Sequence, residues 1–497
     1  MSADNSETIT LDDADVEKRA QAQALPKDSE DAADGSIAAD AYQVQLEPED
    51  DPKSLSAWHK WLAVLVISSS SLCATFASSV ASFTETGLAR DLHTSHEVTI
   101  LSISLYVLGL GIGPMFVGPL SELYGRNIIY RTSYLLFFAF TWPTAFPPDI
   151  ATFLVFRFIT GLCGAAFLSV AGGSVSDLFD NANVASPMAV YTISPFIGPV
   201  VGPLVGGYNT DWRWCYRLLL IWQFVQTVLL FTCVPETYVP VILKRKAKNL
   251  RKSTGDKKYY APLEQQEFSL FHMILFSCLT PFKLIAYDRM ALALDLWSAL
   301  VLGILYLAFQ AFPIIFEDVH GFNVQQTGLS FLGIGIGMFA ALGTQPYWNG
   351  LFARQTIQYK GNAPPEVRLI IAKVGAIIAP LGLFILAFTT YKQVHWIGPI
   401  IGSVPFGAGV YFIFTGVFTY LVTAYRPIAA SAMAANSALR SSFAAVFPLF
   451  AGAMYTRLGT VGATALLAGL LTLMAPLPFI FYRIGARLRA NSRFAAD

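Results

Sequence analysis

The chain has 497 residues, of which 54% are hydrophobic, 14% aromatic and only 13% charged, and its 33 basic and 33 acidic side chains cancel. That much apolar content in so long a chain excludes an ordinary water-soluble globule and points to a polytopic membrane protein. No basic patch with interleaved aromatics suggests a nucleic-acid partner, and Cys73, Cys163, Cys215, Cys233 and Cys278 are too scattered for a metal site or a disulfide framework.

In chain order, residues 1–56 are rich in Asp, Glu, Ser and Ala and lack an apolar core, so a disordered acidic cytosolic tail is expected there, not a signal peptide. A bilayer core of about 30 Å needs about 20 apolar residues per helix. Six such windows follow, at 60–81, 97–120, 130–147, 150–172, 186–207 and 215–234, the third and fourth separated only by Pro147, Pro148 and Asp149. Residues 235–289 form an interval whose run KRKAKNLRK (244–252), with Lys257 and Lys258, is the densest basic stretch of the chain. Positive-inside bias makes this a cytosolic linker loop. Six further windows lie at 290–316, 327–348, 368–390, 396–422, 429–455 and 461–483, and Arg483, Arg487, Arg489 and Arg493 close the chain in a cytosolic tail, 484–497. The expectation is an all-α membrane protein of twelve transmembrane helices in two six-helix bundles, 57–234 and 290–483.

Several spans carry residues that lipid does not tolerate without a reason. In the fifth, PFIGPVVGPLVGG (195–207) sets Gly198, Gly202 and Gly206 four apart on one face, with Gly207 beside them and Pro195, Pro199 and Pro203 at the same interval. Bare glycine faces let helices approach closely and each proline removes an N–H, so a bent, close-packed joint is expected. The fourth span contains FRFITGLCGAA (156–166), whose Arg157 is costly in a membrane helix and marks a pathway or a partner. After the second span comes GPLSELYGRNIIYR (118–131), in which Glu122 and Arg126 stand one helical turn apart and can pair with each other or with a neighbouring helix end. The first five spans hold no secure carboxylate, Glu85 and Asp91 falling in a loop; the second half offers Asp295, Gln310, Gln345, Asn436 and Arg440, the last two positioned to share a face. No nucleophile–base arrangement, P-loop, metal cluster or cofactor signature is visible, which argues against an enzyme and against a self-sufficient primary pump.

The stretch from Gly118 to Arg131 resembles the signature between the second and third helices of the major facilitator superfamily, with Gly118, Leu120, Gly125 and Arg126 in place and Glu122 where Asp is usual. The resemblance implies that these charges latch the cytosolic side. Arg157, Gly161 and Gly164 resemble the family's fourth-helix pattern, which implies a part for Arg157 in proton coupling. The fifth-span run resembles the family's antiporter motif, which implies an exporter. VPETYVPVILKRKAKNLRK (234–252), GFNVQQTGLSFLGIGIGM (321–338), HWIGPIIGSVPFGAG (395–409) and AYRPIAASAMAANSALRSSFAAVFPLF (424–450) are similar to fungal twelve-helix drug:proton antiporters, a group of polyamine, multidrug, mycotoxin and organic-acid exporters. That implies the major facilitator fold, a monomer without cofactor or metal, a small-molecule cargo exchanged for protons, and a plasma-membrane or vacuolar address. Two membrane arginines, Arg157 and Arg440, against the single Asp295, with Thr423 where similar sequences often carry an acid, favour an organic acid or acidic secondary metabolite. Multidrug or polyamine antiport, facilitated export and a nontransporting sensor on the same fold are the alternatives. Candidates for the coupling proton are Asp295, Glu122 and the cargo's own carboxylate.

Overall fold

Several membrane helices begin at a side chain that accepts the free N–H groups of a first turn. Ser56 accepts from His59 at the start of the first span, Ala57–Ser79; Asp149 from Thr152 at the fourth, Ile150–Gly164; Asp211 from Arg213 at the sixth, Trp212–Cys233; and Asp288 from Met290 and Ala291 at the seventh, Arg289–Pro313. Asn323 and Gln326 form a reciprocal capping box at the eighth, which runs as Val324–Ser330, Leu332–Gly343 and Gln345–Gln358. The second span is His96–Tyr124, the third Arg126–Ala145, the fifth Ala185–Tyr208, the ninth Leu369–Thr389 and the tenth Ile397–Ala424. Gly459, at φ 69°, divides Ala429–Met474 into the eleventh span and a twelfth that continues as Leu477–Ala490. These elements come from a computed structural model that describes residues 42–180, 183–209, 211–264, 270–359, 363–490, 492 and 495, with an isolated bridge between Gln43 and Tyr260 as the one extended pairing among them.

Among the described residues, ten stretches are long and apolar enough to cross a bilayer. One of them, Ala429–Ala490, holds the two spans on either side of Gly459. The third span misses the apolar measure because Arg126, Asn127 and Arg131 occupy its first two turns, yet its 20 residues rise about 30 Å, enough to cross. The expected all-α membrane architecture is what the chain adopts.

Each half has its own core. Phe76, Tyr106, Tyr134, Phe137, Phe167 and Leu219 are buried together in the first half, and Leu294, Trp297, Leu383, Val410, Ile413 and Leu467 in the second. The second core reaches across the seam to Ile103, Val107, Phe196 and Val200. Hydrogen bonds cross there too: Ser104 Oγ donates to the Ala445 carbonyl (2.6 Å), and the Ser78 and Tyr306 hydroxyls lie 2.8 Å apart.

The glycine stripe of the fifth span is a contact face within the first bundle, in a helix that runs unbroken through all three prolines. A Cβ on Gly198 would stand 2.7 Å from the Phe76 amide nitrogen, one on Gly202 2.7 Å from that of Val80, and one on Gly206 2.8 Å from Phe83 Cβ, so the stripe lies against the first span and the turn after it. Gly207 faces the other way. Its Cβ position is 2.9 Å from the Val324 carbonyl, and that of Gly328 is 2.5 Å from the Pro203 carbonyl, so the fifth and eighth spans touch backbone to backbone at the face opposite the basic linker.

Residues 1–41 of the expected tail lie outside the described residues. Of residues 42–56, expected as tail, 42–50 pack on the linker, and the linker itself is helical where a loop was expected. Val239–Thr254 is helical, with Pro240 in its first turn and left-handed Gly255 as its cap, and Leu270–Tyr287 forms a second helix. Val44, Ala247 and Ala261 share a small core, Val44 and Tyr260 pair through their backbones, and Lys246 binds Glu47 (3.0 Å) and Asp50 (2.7 Å). Composition missed this clasp because its few apolar residues are supplied from two segments some two hundred positions apart.

Candidate functional site

Midway along the seam the eleventh span presents Arg440. Its guanidinium carbon lies 4.9 Å from the centre of the Phe418 ring and 5.5 Å from that of Phe414, within cation–π range of the tenth span. Phe414 in turn stacks on Phe196 of the fifth span at 4.9 Å. Tyr191, Tyr306 and Asp295 are the titratable groups within its electrostatic reach. Tyr191 donates to the carbonyls of Phe167 and Leu168, 3.3 and 3.2 Å away, and Tyr306 meets Ser78 across the seam. Arg440 Nε has no hydrogen-bond partner, and among the described residues no carboxylate forms an ion pair with this arginine. A cation against two aromatic faces of the tenth span, one of them stacked in turn on the fifth, is the result.

One turn before Arg440, Asn436 points into its own bundle. Its Nδ2 donates to Asp295 Oδ1 (2.9 Å) and to Ser298 Oγ (2.7 Å), all three residues being fully buried, while Asp295 Oδ2 and Asn436 Oδ1 find no partner. Asp295 therefore sits well inside the seventh span, tied to the eleventh, rather than complementing a helix end. Asn436 and Arg440, one turn apart on the eleventh span, are both neighbours of Asp295, but only Asn436 bonds it.

Arg157 lies elsewhere. At 1% exposure it donates from Nε to the Ser102 carbonyl and from Nη1 to the Ala77 carbonyl, both 2.9 Å, and covers the ring of Tyr106 at 4.3 Å, with Tyr216 at 5.8 Å. It binds four spans of the first bundle and does not join Arg440. Gln310, one turn outward from Tyr306, donates to Glu85 at 2.8 Å. Gln345 accepts from Tyr411 (3.0 Å) and donates to Asn349 (3.1 Å), away from the Arg440 group.

On the linker side, Gly125 at φ 98° delivers Arg126 into a charge cluster. Arg126 Nε donates to Asp177 at 2.6 Å, and the backbone amides of Arg126 and Asn127 donate to Glu236 at 2.9 and 3.3 Å. Arg245 of the linker helix stands 3.5 Å from the same carboxylate. Arg126 makes the pairing with a neighbouring helix end, to Asp177 in the short helix Ala171–Leu178 that extends the fourth span. A Cβ on Gly118 would meet open space, so that glycine is not needed for close packing here. Sequence reasoning did not find Asp177, Glu236, Phe414 or Phe418, and it set Glu85 aside as a loop residue. Glu236 stands in the PET run just before the basic stretch, the one visible signal among them.

The profile of the major facilitator superfamily matches residues 67–447. The chain belongs to that superfamily. Among curated members it is 45% identical to the efflux pump atB of Aspergillus terreus, over 91% of this chain and 90% of that one, and 43% identical to the probable drug/proton antiporter YHK8 of Saccharomyces cerevisiae, over 91% and 88%. Among solved structures it resembles the E. coli xylose transporter XylE in a partially occluded inward-open conformation (TM-score 0.59, 17% identical, 86% of this chain and 99% of that chain). It also resembles the human organic anion transporter MFSD10 (TM-score 0.58, 16% identical, 87% and 100%). At such identities these two structures speak for the fold alone. As a major facilitator the chain is a multi-pass membrane transporter of the drug:proton antiporter kinship that its motifs resemble, and the seam between its bundles is where a cargo site belongs.

Proposed function

We propose that this chain is a secondary active exporter that exchanges a small organic acid or acidic secondary metabolite for protons, working as a monomer with Arg440 in the cargo site. The observation that carries the reading is the Arg440 guanidinium, set at the seam among aromatic rings with Nε unpartnered and no carboxylate paired to it. A buried cation of this kind costs free energy unless something anionic or strongly polar faces it, and a cargo carboxylate supplies that. Antiport is supported by the names of the relatives, an efflux pump and a probable drug/proton antiporter. The address that goes with export from the cell is the plasma membrane, with the vacuolar membrane as the alternative; a fluorescent fusion distinguishes them.

Multidrug export has its own support. Phe196, Phe414 and Phe418 offer flat apolar faces that bind by area rather than by charge, and a multidrug transporter of Aspergillus fumigatus, mdrA, is 37% identical. Uptake of labelled organic acids, a polyamine and a planar cationic drug into inverted vesicles separates the readings. Acid uptake is expected, reduced about tenfold or more in Arg440→Ala at equal expression, as loss of one charge-assisted hydrogen bond of about 1.5–3 kcal/mol requires. Acid uptake unchanged in that variant, or uptake of the drug or polyamine alone, contradicts the acid assignment.

A further inference from the structure

Glu85 opens a short helix, Glu85–Asp91, just beyond the first span and at the face opposite the basic linker, which positive-inside bias makes the outer face. For a carboxylate outside the membrane helices it is unusually hidden, with 3% of its surface exposed. Gln310 of the seventh span donates to its Oε1 across the seam at 2.8 Å, and His96, at the start of the second span, stands 3.6 Å from Oε2. Around it the outer end of the seam is shut by the Gly207–Val324 and Gly328–Pro203 contacts and by Phe83 against Phe331, which also packs on Phe309 and Phe312. At this outer end the Gln310–Glu85 hydrogen bond joins the two bundles inside an aromatic seal.

We propose that Glu85 is the protonation switch of the outer gate, its neutral acid holding the bundles together through Gln310 and its carboxylate favouring their separation. The partner facing it across the seam is an uncharged amide, which offers an anion one hydrogen bond and no opposite charge. Burial pushes the Glu85 carboxyl up to about 8, the Gln310 bond opposing this. Once the bundles part, water reaches the group and returns it to the ordinary glutamate range, about 4.3. The closed gate therefore binds the proton more tightly than the open one, so its stabilisation is full in acid and is lost as pH rises through the raised value. The other titratable neighbours are His96, largely exposed; Tyr216 of the sixth span, bonded to Thr84 and near Arg157; and Asp91 on the same short helix, which is held by Arg213 and Trp212. In the antiport cycle proposed above, on which this last step rests, a proton arriving from outside would close the outer gate and reset the carrier toward the cytosol.

The switch is read without cargo, so its failure is separate from that of the transport assignment. In full-length protein in lipid nanodiscs, with Cys233 and Cys278 replaced by Ser, spin labels at exposed Ser95 and Lys392 report the distance between the outer ends of the two bundles. Between pH 5 and pH 9 the closed population is expected to fall about tenfold or more. Glu85→Gln should remain closed throughout, Glu85→Ala should lose the pH dependence, and His96→Asn should keep it. A distance distribution that does not move with pH, Glu85 variants that titrate as the parent does, or loss of the transition in His96→Asn would each overturn the proposal.

Discussion

The guanidinium of Arg157 donates from two nitrogens to carbonyls of the first and second spans and leaves Nη2 without a partner, whereas that of Arg440 leaves Nε unpartnered beside the rings of the tenth span. Two charge-assisted hydrogen bonds, each worth about 1.5–3 kcal/mol, make Arg157 a tie inside the first bundle. Arg157→Ala is accordingly expected to cost about 3 kcal/mol or more and to lower the unfolding temperature by several degrees, and Arg157→Lys to recover only part, since one ammonium does not span both carbonyls. Full thermal stability in Arg157→Ala would mean that the arginine serves only the proton-coupling role its motif suggested. Both arginines were legible because a charge inside an apolar run stands out. Their partners were not, since backbone carbonyls leave no mark on a sequence. Glu85 was set aside as a loop residue for the opposite reason: it sits in a polar stretch, and the residue that covers it is 225 positions away.

Among the helices, the fifth span shows what spacing conveys and what it leaves out. Four-residue intervals of glycine announce a close approach, and the approach is made, but only the folded chain says that Gly198, Gly202 and Gly206 meet the first span while Gly207 meets the eighth. Gly202→Ala places a methyl against the Val80 amide and should cost about 1–3 kcal/mol through overpacking, read as a lower unfolding temperature in detergent. Gly118→Ala, whose new methyl meets open space, should leave that temperature unchanged. Equal effects from the two substitutions would contradict the packing described. The third span was harder to see than its neighbours, because Arg126, Asn127 and Arg131 dilute the apolar signal in order to build the charge cluster with Asp177 and Glu236.

At the scale of the molecule, windows of apolar residues suffice for twelve helices, because lipid requires every backbone group to be satisfied within a span. The pairing of bundles is not written in any window; it comes from small residues and aromatics that lock the outer end of the seam, leaving Arg440 at its middle. The exchange proposed above requires that cargo move only as protons move in the opposite direction. Proteoliposomes with an acidic lumen and an alkaline exterior test this directly, the cargo-binding face outward. A weak acid left to itself collects on the alkaline side, so accumulation in the acidic lumen cannot be passive. The result expected is accumulation of the acid there, accompanied by lumenal alkalinisation and abolished by a protonophore; cargo that reaches the same level with and without the gradient, or that does not enter at all, would contradict proton-driven exchange.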